Sequence, residues 1–131
     1  MNGRLLLDTN VILDFLKGLP SAVALLRTTE KELCASVITR IELLSFHRIT
    51  PEEEKHIGVF LDAAYIVPLN ADVEETAIQF RRATRRKVPD AIVAASAIVS
   101  KSVLVTYDQG LANTAFPGLV THHPDSTMRD G

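Results

Sequence analysis

One short stretch decides how this chain is expected to fold: Arg4-Leu5-Leu6-Leu7-Asp8-Thr9-Asn10. Its run of leucines is typical of a short strand buried on both faces, and Asp8 stands where that strand should end. A second stretch, Val103-Leu104-Val105-Thr106-Tyr107-Asp108, has the same form. Two predicted strands therefore end at or just before an aspartate.

Further short apolar runs lie along the chain: Leu33 to Ala35, Tyr65 to Val67 and, more weakly, Leu119-Val120. Helical patterns separate them. Thr50-Pro51-Glu52-Glu53 combines an N-cap, a proline at the first helical position and a capping-box glutamate. An amphipathic helix is predicted from about Asp72 to Arg86, and the nearly all-apolar stretch from Pro89 to about Ser100 predicts a buried helix. This alternation predicts an α/β domain with a parallel sheet covered on both faces.

Size and composition agree with one such domain. The chain has 131 residues, 47% of them hydrophobic and only 5% aromatic, so its core must consist mostly of aliphatic side chains. The net charge of −2 gives no general attraction to nucleic acid. Any affinity for phosphate must then be local or carried by bound cations.

The sequence also bears on the protein's surroundings. Cys34 is the single cysteine and lies in an apolar run, which excludes an intramolecular disulfide and predicts a small buried side chain. No apolar run approaches the roughly 20 residues needed to cross a bilayer. We therefore expect a soluble protein of the cytoplasm that does not enter a membrane.

Acidic side chains supply the candidate site: Asp8, Glu42, Asp90 and Asp108. Open α/β sheets bind ligands outside the carboxyl ends of their strands, so Asp8 and Asp108 can face one crevice. Asp90 begins the predicted buried helix, and Glu42 falls near a stripe expected to be buried, made of Val37, Ile38, Ile41 and Leu44. Two carboxylates about 4 Å apart repel by roughly 4 kcal/mol at an effective dielectric of about 20. A cluster of them implies a cation.

Each acid also has an ordinary structural explanation. Asp8 could cap a helix, Asp90 could begin one, and Asp108-Gln109-Gly110 is good turn chemistry. Glu42 could extend to solvent from the edge of its helix. A site is therefore indicated by the four acids together and by none of them alone.

In four short motifs the chain resembles the PIN-domain ribonucleases, and among them the VapC toxins of prokaryotic toxin–antitoxin pairs. These motifs are Leu7-Asp8-Thr9-Asn10, the stretch around Glu42, Val88-Pro89-Asp90 and Val105-Thr106-Tyr107-Asp108. The likeness runs in the expected order from Leu5 to Val120. It implies a PIN-like three-layer α/β/α domain with a central parallel sheet of four to five strands.

The resemblance further implies a metal-dependent endoribonuclease that hydrolyses RNA phosphodiester bonds. In that case Asp8, Glu42, Asp90 and Asp108 would hold Mg²⁺ or Mn²⁺, while Asn10 and Thr106 would orient a carboxylate or a water. It also implies a homodimer and a small antitoxin that covers the acidic cleft. Apolar candidates for partner contacts are Val23, Leu25, Leu26, Leu44 and Phe46.

In one place the chain departs from the family's pattern. Many relatives carry another aspartate shortly after the position of Asp108, whereas Gln109, Gly110 and Leu111 supply none. The number of ions, one or two, stays open. So does a different class of function, a catalytically silent PIN-like module that binds a basic peptide. A phosphoacceptor domain would need a paired acid near Asp8 and a strand-end lysine, and the sequence has neither.

Two further segments have an open interpretation. The basic cluster Arg81, Arg82, Arg85 and Arg86 could be a solvated helix face, or a rim that guides RNA phosphates toward the acids. Residues 122–131 follow the last apolar run and are predicted to form a flexible tail. Its two histidines, His122 and His123, lack the further ligands that a zinc site needs.

Overall fold

The structure is a computed structural model that describes residues 3–125. Its strands are β1 (Arg4–Leu7), β2 (Glu32–Ser36), β3 (Tyr65–Val67), β4 (Val103–Val105) and β5 (Thr121–His122). Its helices are α1 (Thr9–Leu16), α2 (Pro20–Thr28), α3 (Val37–Leu44), α4 (Pro51–Ala63), α5 (Ala71–Thr84), α6 (Val88–Val99) and α7 (Gln109–Ala112).

All the strands pair in parallel, in the order β3-β2-β1-β4-β5. From β1 the chain builds one half of the sheet through β2 and β3, and then returns to add β4 on the other side of β1. Strand order therefore reverses between β1 and β4. In open sheets this switch point is where a crevice forms outside the carboxyl ends of the strands.

Alternate side chains of the strands enter two cores, one on each face of the sheet. Leu6, Cys34 and Leu104 pack with the fully buried Phe80 of α5 and with the apolar side of α6. On the opposite face, Leu5 and Val105 pack against α1 to α4. The predicted α/β fold, with a five-stranded parallel sheet between two helical layers, is confirmed.

The boundary of α5 differs from the prediction. The helix ends at Thr84 and not at Arg86, because Arg85 adopts a left-handed conformation with φ 62° and ψ 18°. A residue in this conformation closes a helix, and it is usually glycine. Arg85 and Arg86 consequently lie on the turn that joins α5 to α6, not on a helical face.

The last strand also differs. It forms at Thr121–His122, two residues after the predicted Leu119-Val120. The amides of Leu104 and Thr106 donate to the carbonyls of Val120 at 2.8 Å and His122 at 3.0 Å, so hydrogen bonds with β4 and the residue after it begin at Val120 and extend to His122. The predicted tail therefore begins too early at 122. His123 packs edge-on against Tyr107, with 5.4 Å between the ring centroids. The rest of that tail, 126–131, lies outside the described residues.

Within residues 3–125, no helix is by itself long and apolar enough to cross a bilayer. Only α1 and α2 together pass such a test of length and composition, and they meet at a bend of 98°.

Candidate functional site

The predicted acidic residues line one cleft of about 670 Å³: Asp8, Glu42, Asp90 and Asp108. The cleft lies at the switch point, outside the carboxyl ends of β1 and β4. Thr9, Asn10 and Thr106 line it as well. The fold thus brings together side chains that are up to 100 positions apart in the sequence, from Asp8 to Asp108.

Asp8 follows β1 directly and is the N-cap of α1. Its Oδ1 accepts a hydrogen bond from the Thr9 amide at 2.9 Å, and its Oδ2 accepts one from the Thr106 hydroxyl at 2.8 Å. Burial raises the pKa of Asp8 above its usual value, these two hydrogen bonds oppose the rise, and the charges of Asp90 and Glu42 add to it. The ionised form of Asp8 therefore lacks a positive partner.

Glu42 reaches the cleft from α3, which begins at the buried N-cap Ser36. The helix buries Thr39 and Leu43, one turn apart, and this orientation leaves Glu42 exposed toward the cleft. The expected buried stripe is found only in part. Ile38 and Leu44 are partly buried and pack against the two cores, and Val37 is partly buried, whereas Ile41 is 56% exposed. The helix also buries Thr39, whose hydroxyl is within hydrogen-bond distance of the Thr9 hydroxyl.

Thr9 connects Glu42 to the residues beside Asp8. Its hydroxyl donates to Glu42 Oε1 at 2.6 Å and lies 3.1 Å from the hydroxyl of Thr39. Asn10, the residue predicted to act here, is exposed on the wall of the cleft. The hydrogen bonds to Asp8 and Glu42 come instead from Thr9 and Thr106.

Asp90 and Asp108 face each other across a shared arginine. Asp90 lies in the first turn of α6, where the helix N-terminus favours its charge. Arg86 Nη2 is 2.5 Å from Asp108 Oδ2 and 3.6 Å from Asp90 Oδ2. Burial alone would raise the pKa of Asp108, but hydrogen bonds from the Leu111 amide and from Arg86 outweigh it and hold that pKa below its usual value.

The four arginines of the predicted basic rim make different contacts. The Arg86 side chain contacts Asp90 and Asp108, which line the cleft. The Arg81 side chain donates to the Arg86 carbonyl at 2.8 Å and so stabilises the α5–α6 turn. Arg82 and Arg85 are exposed. Of the predicted set, these two make no side-chain hydrogen bond or ion pair within the described residues.

The donor chemistry fits a hard divalent ion, since carboxylate oxygens are the ligands that Mg²⁺ and Mn²⁺ prefer. In the described part of the chain, however, no three acidic side chains lie close enough together to share one ion. Arg86 contacts Asp108 and Asp90, while threonine hydroxyl groups donate to Asp8 and Glu42. Binding an ion would require these side chains to exchange partners.

Sequence reasoning did not predict the contacts of Arg86 with Asp90 and Asp108, or the role of Thr9. Arg86 precedes Asp90 by only four residues, and this short separation was a usable signal for a contact. A further pair borders the cleft: Tyr107 donates to Asp14 Oδ2 at 2.6 Å, and burial together with this bond raises the pKa of Tyr107. The one sequence feature that could have indicated Asp14 is its spacing, since it lies one helical turn after Asn10.

Comparison with known proteins gives three findings. A family model described as the PIN domain matches residues 5–117. A toxin–antitoxin complex from Klebsiella pneumoniae contains a chain with 27% sequence identity and a TM-score of 0.78, over 94% of this chain and 99% of the other. VapBC2 from Rickettsia felis, solved with a DNA fragment from its promoter, shares the fold at 19% identity and a TM-score of 0.79, over 92% and 98% of the two chains. Among curated proteins there is no match.

Proposed function

The chain belongs to the PIN-domain family, as its sequence motifs predict, and we propose that it is a metal-dependent endoribonuclease toxin held inactive by a cognate antitoxin. One observation carries the enzymatic part of the proposal. Four carboxylates from distant segments line a single cleft at the switch point of the sheet. Burial and mutual repulsion leave Asp8 in need of a positive partner.

Mg²⁺ or Mn²⁺ fits this need, with Asp8, Glu42, Asp90 and Asp108 as its ligands. When bound, such an ion acidifies water and offsets the charge that develops on a scissile phosphate. The chain's own hydroxyl groups set the geometry: Thr106 orients Asp8, and Thr9 orients Glu42. Outer partners of this kind typically change metal affinity or activity by about 10- to 100-fold.

The antitoxin part of the proposal is supported by a second depression that adjoins the acidic cleft. Its volume is about 490 Å³, and it shares Leu13, Phe46 and His47 with the cleft wall. A peptide bound there would continue directly over the carboxylates. Of the predicted apolar contacts, Phe46 is 40% exposed and suits this role, whereas Leu25 and Leu26 are buried in the core and do not.

Cleavage of structured RNA by the purified protein tests the enzymatic proposal. We expect cleavage with Mg²⁺ or Mn²⁺, none with EDTA, and none in Asp8→Asn or Asp90→Asn. Asp62→Asn, an exposed acid on α4, is the matched control and should cleave normally. Persistent cleavage in both cleft variants would contradict the proposal. An inactive wild-type protein that still binds a basic antitoxin peptide would favour the silent binding module instead.

A further inference from the structure

We propose that Arg86 is a built-in competitor of the divalent ion, so that an ion enters the cleft by displacing its guanidinium from Asp90 and Asp108. This inference rests on the proposed function. It adds a role for one basic residue that the carboxylate cluster alone does not define: Arg86 would set how tightly the site takes up its ion.

Arg86 is not a loosely placed surface arginine. Its amide donates to the Thr84 hydroxyl at 3.2 Å, its carbonyl accepts from Arg81 Nε at 2.8 Å, and the Thr84 hydroxyl donates to the carbonyl of Phe80 at 2.8 Å. Arg86 follows the left-handed Arg85, and its side chain reaches Asp90 and Asp108. The backbone thus places the guanidinium at the cleft before any ion arrives.

The opposite wall leaves room for this side chain at Gly110. A Cβ built on Gly110 would lie 2.8 Å from Arg86 Nη1 and 3.1 Å from Asp108 Oδ1, closer than ordinary contacts allow. Gly110 does not have a positive φ, so its backbone conformation does not require glycine. The missing side chain is instead explained by the space that the arginine takes up.

The Arg86 guanidinium is well paired at Nη2 but not at Nε. Nη2 serves both carboxylates, but Nε of Arg86 is buried and is without a hydrogen-bond acceptor among the described residues. An unmet buried N–H is unfavourable and would be hydrated if the side chain turned outward. The guanidinium is therefore suited to give up its contacts with Asp90 and Asp108 to another cation.

Titration of the metal-free protein with Mn²⁺, followed by calorimetry or by the EPR signal of free Mn²⁺, tests the competition without any RNA. Because hydrogen bonds to charged groups are among the stronger ones, Arg86→Gln should bind Mn²⁺ at least about fivefold more tightly than the wild type. Arg82→Gln removes the same charge from the exposed part of the cluster, and because solvent screens that charge its affinity should change less than about twofold. Arg86→Lys keeps the charge but not the fork, and should fall between wild type and Arg86→Gln.

Gly110→Ala provides an independent variant that retains every charge. Its methyl group should push the guanidinium away from Asp108 and tighten Mn²⁺ binding in the same direction as Arg86→Gln. Equal or weaker binding in both variants would overturn the inference and leave the proposed function intact. A wild-type protein and an Arg86→Gln variant that both fail to bind Mn²⁺ would overturn the inference and the metal-dependent function together.

Discussion

Thr106 and Asp8 are joined across the two strands at which the order of the sheet reverses, with 2.8 Å between the donating hydroxyl and the accepting Oδ2. Thr106 is 1% exposed, so the orientation of its hydroxyl is determined by protein contacts and not by solvent. It also accepts a hydrogen bond from the Asp108 amide at 3.1 Å. One buried hydroxyl therefore touches both strand ends that carry an acid.

Thr106→Val should test this arrangement with little change in shape. The hydrogen bond from Thr106 lowers the pKa of Asp8, so its loss should raise that pKa further. We expect the acidic limb of the pH–rate profile for RNA cleavage to move to higher pH, with about a 10- to 100-fold loss of activity. Thr28→Val, at an exposed residue that ends α2, is the control. An unshifted acidic limb would contradict the assigned role.

Asp8→Asn should make the folded protein more stable at neutral pH although it removes activity. The folded-state pKa of Asp8 lies above its unfolded value of about 3.9, so its contribution to stability is full below that value and is lost as pH rises through the folded pKa. We expect the free energy of unfolding at pH 7 to increase, since the variant has no carboxylate to ionise in this buried position. Urea titrations at pH 7 and pH 4 should show this gain shrinking in acid. A gain independent of pH, or a loss of stability, would be the contrary result.

Local patterns predicted the strand ends and the helix that carries Asp90, because the signal for each lies within one short stretch of consecutive residues. They did not predict the direction of Arg86, which depends on a left-handed conformation at a residue that is not glycine. Strand β5 was displaced because its position is set by the edge of β4. Glu42 was expected to be near a buried stripe, yet it is exposed toward the cleft on a helix that buries Thr39 and Leu43. In each case the observed position depends on contacts with a neighbouring element, and local sequence patterns do not contain that information.

The proposed homodimer has a candidate face between α5 and α6. Three large apolar side chains surround a depression of about 330 Å³ there and are 42% to 50% exposed: Leu69, Ile78 and Val88. Ile78→Glu should shift the mass measured by light scattering from dimer toward monomer, because an interface core tolerates charge poorly. Val59→Glu, at a side chain that is 64% exposed on α4, should leave the mass unchanged. A dimer that survives Ile78→Glu would place the interface elsewhere.

The exposed arginines Arg82 and Arg85 are the remaining candidates for an RNA rim. In an Asp8→Asn background, which prevents cleavage, replacing both with Ala should weaken RNA binding. The slope of log affinity against log salt should fall by about 0.7 for each phosphate that the variant no longer neutralises. Replacing Arg27, a basic residue in the last turn of α2, is the control. An identical affinity and slope at every salt concentration would remove the rim.

The most direct measurement of the proposed metal site is a crystal structure of the protein with Mn²⁺, in which the ion is located by its anomalous scattering. We expect one Mn²⁺ or more between the carboxylates of Asp8 and Asp90, with Glu42 or Asp108 beside it and the Arg86 side chain moved away. An ion bound only elsewhere on the surface, with the Arg86 contacts to Asp90 and Asp108 intact at saturating Mn²⁺, would contradict the site.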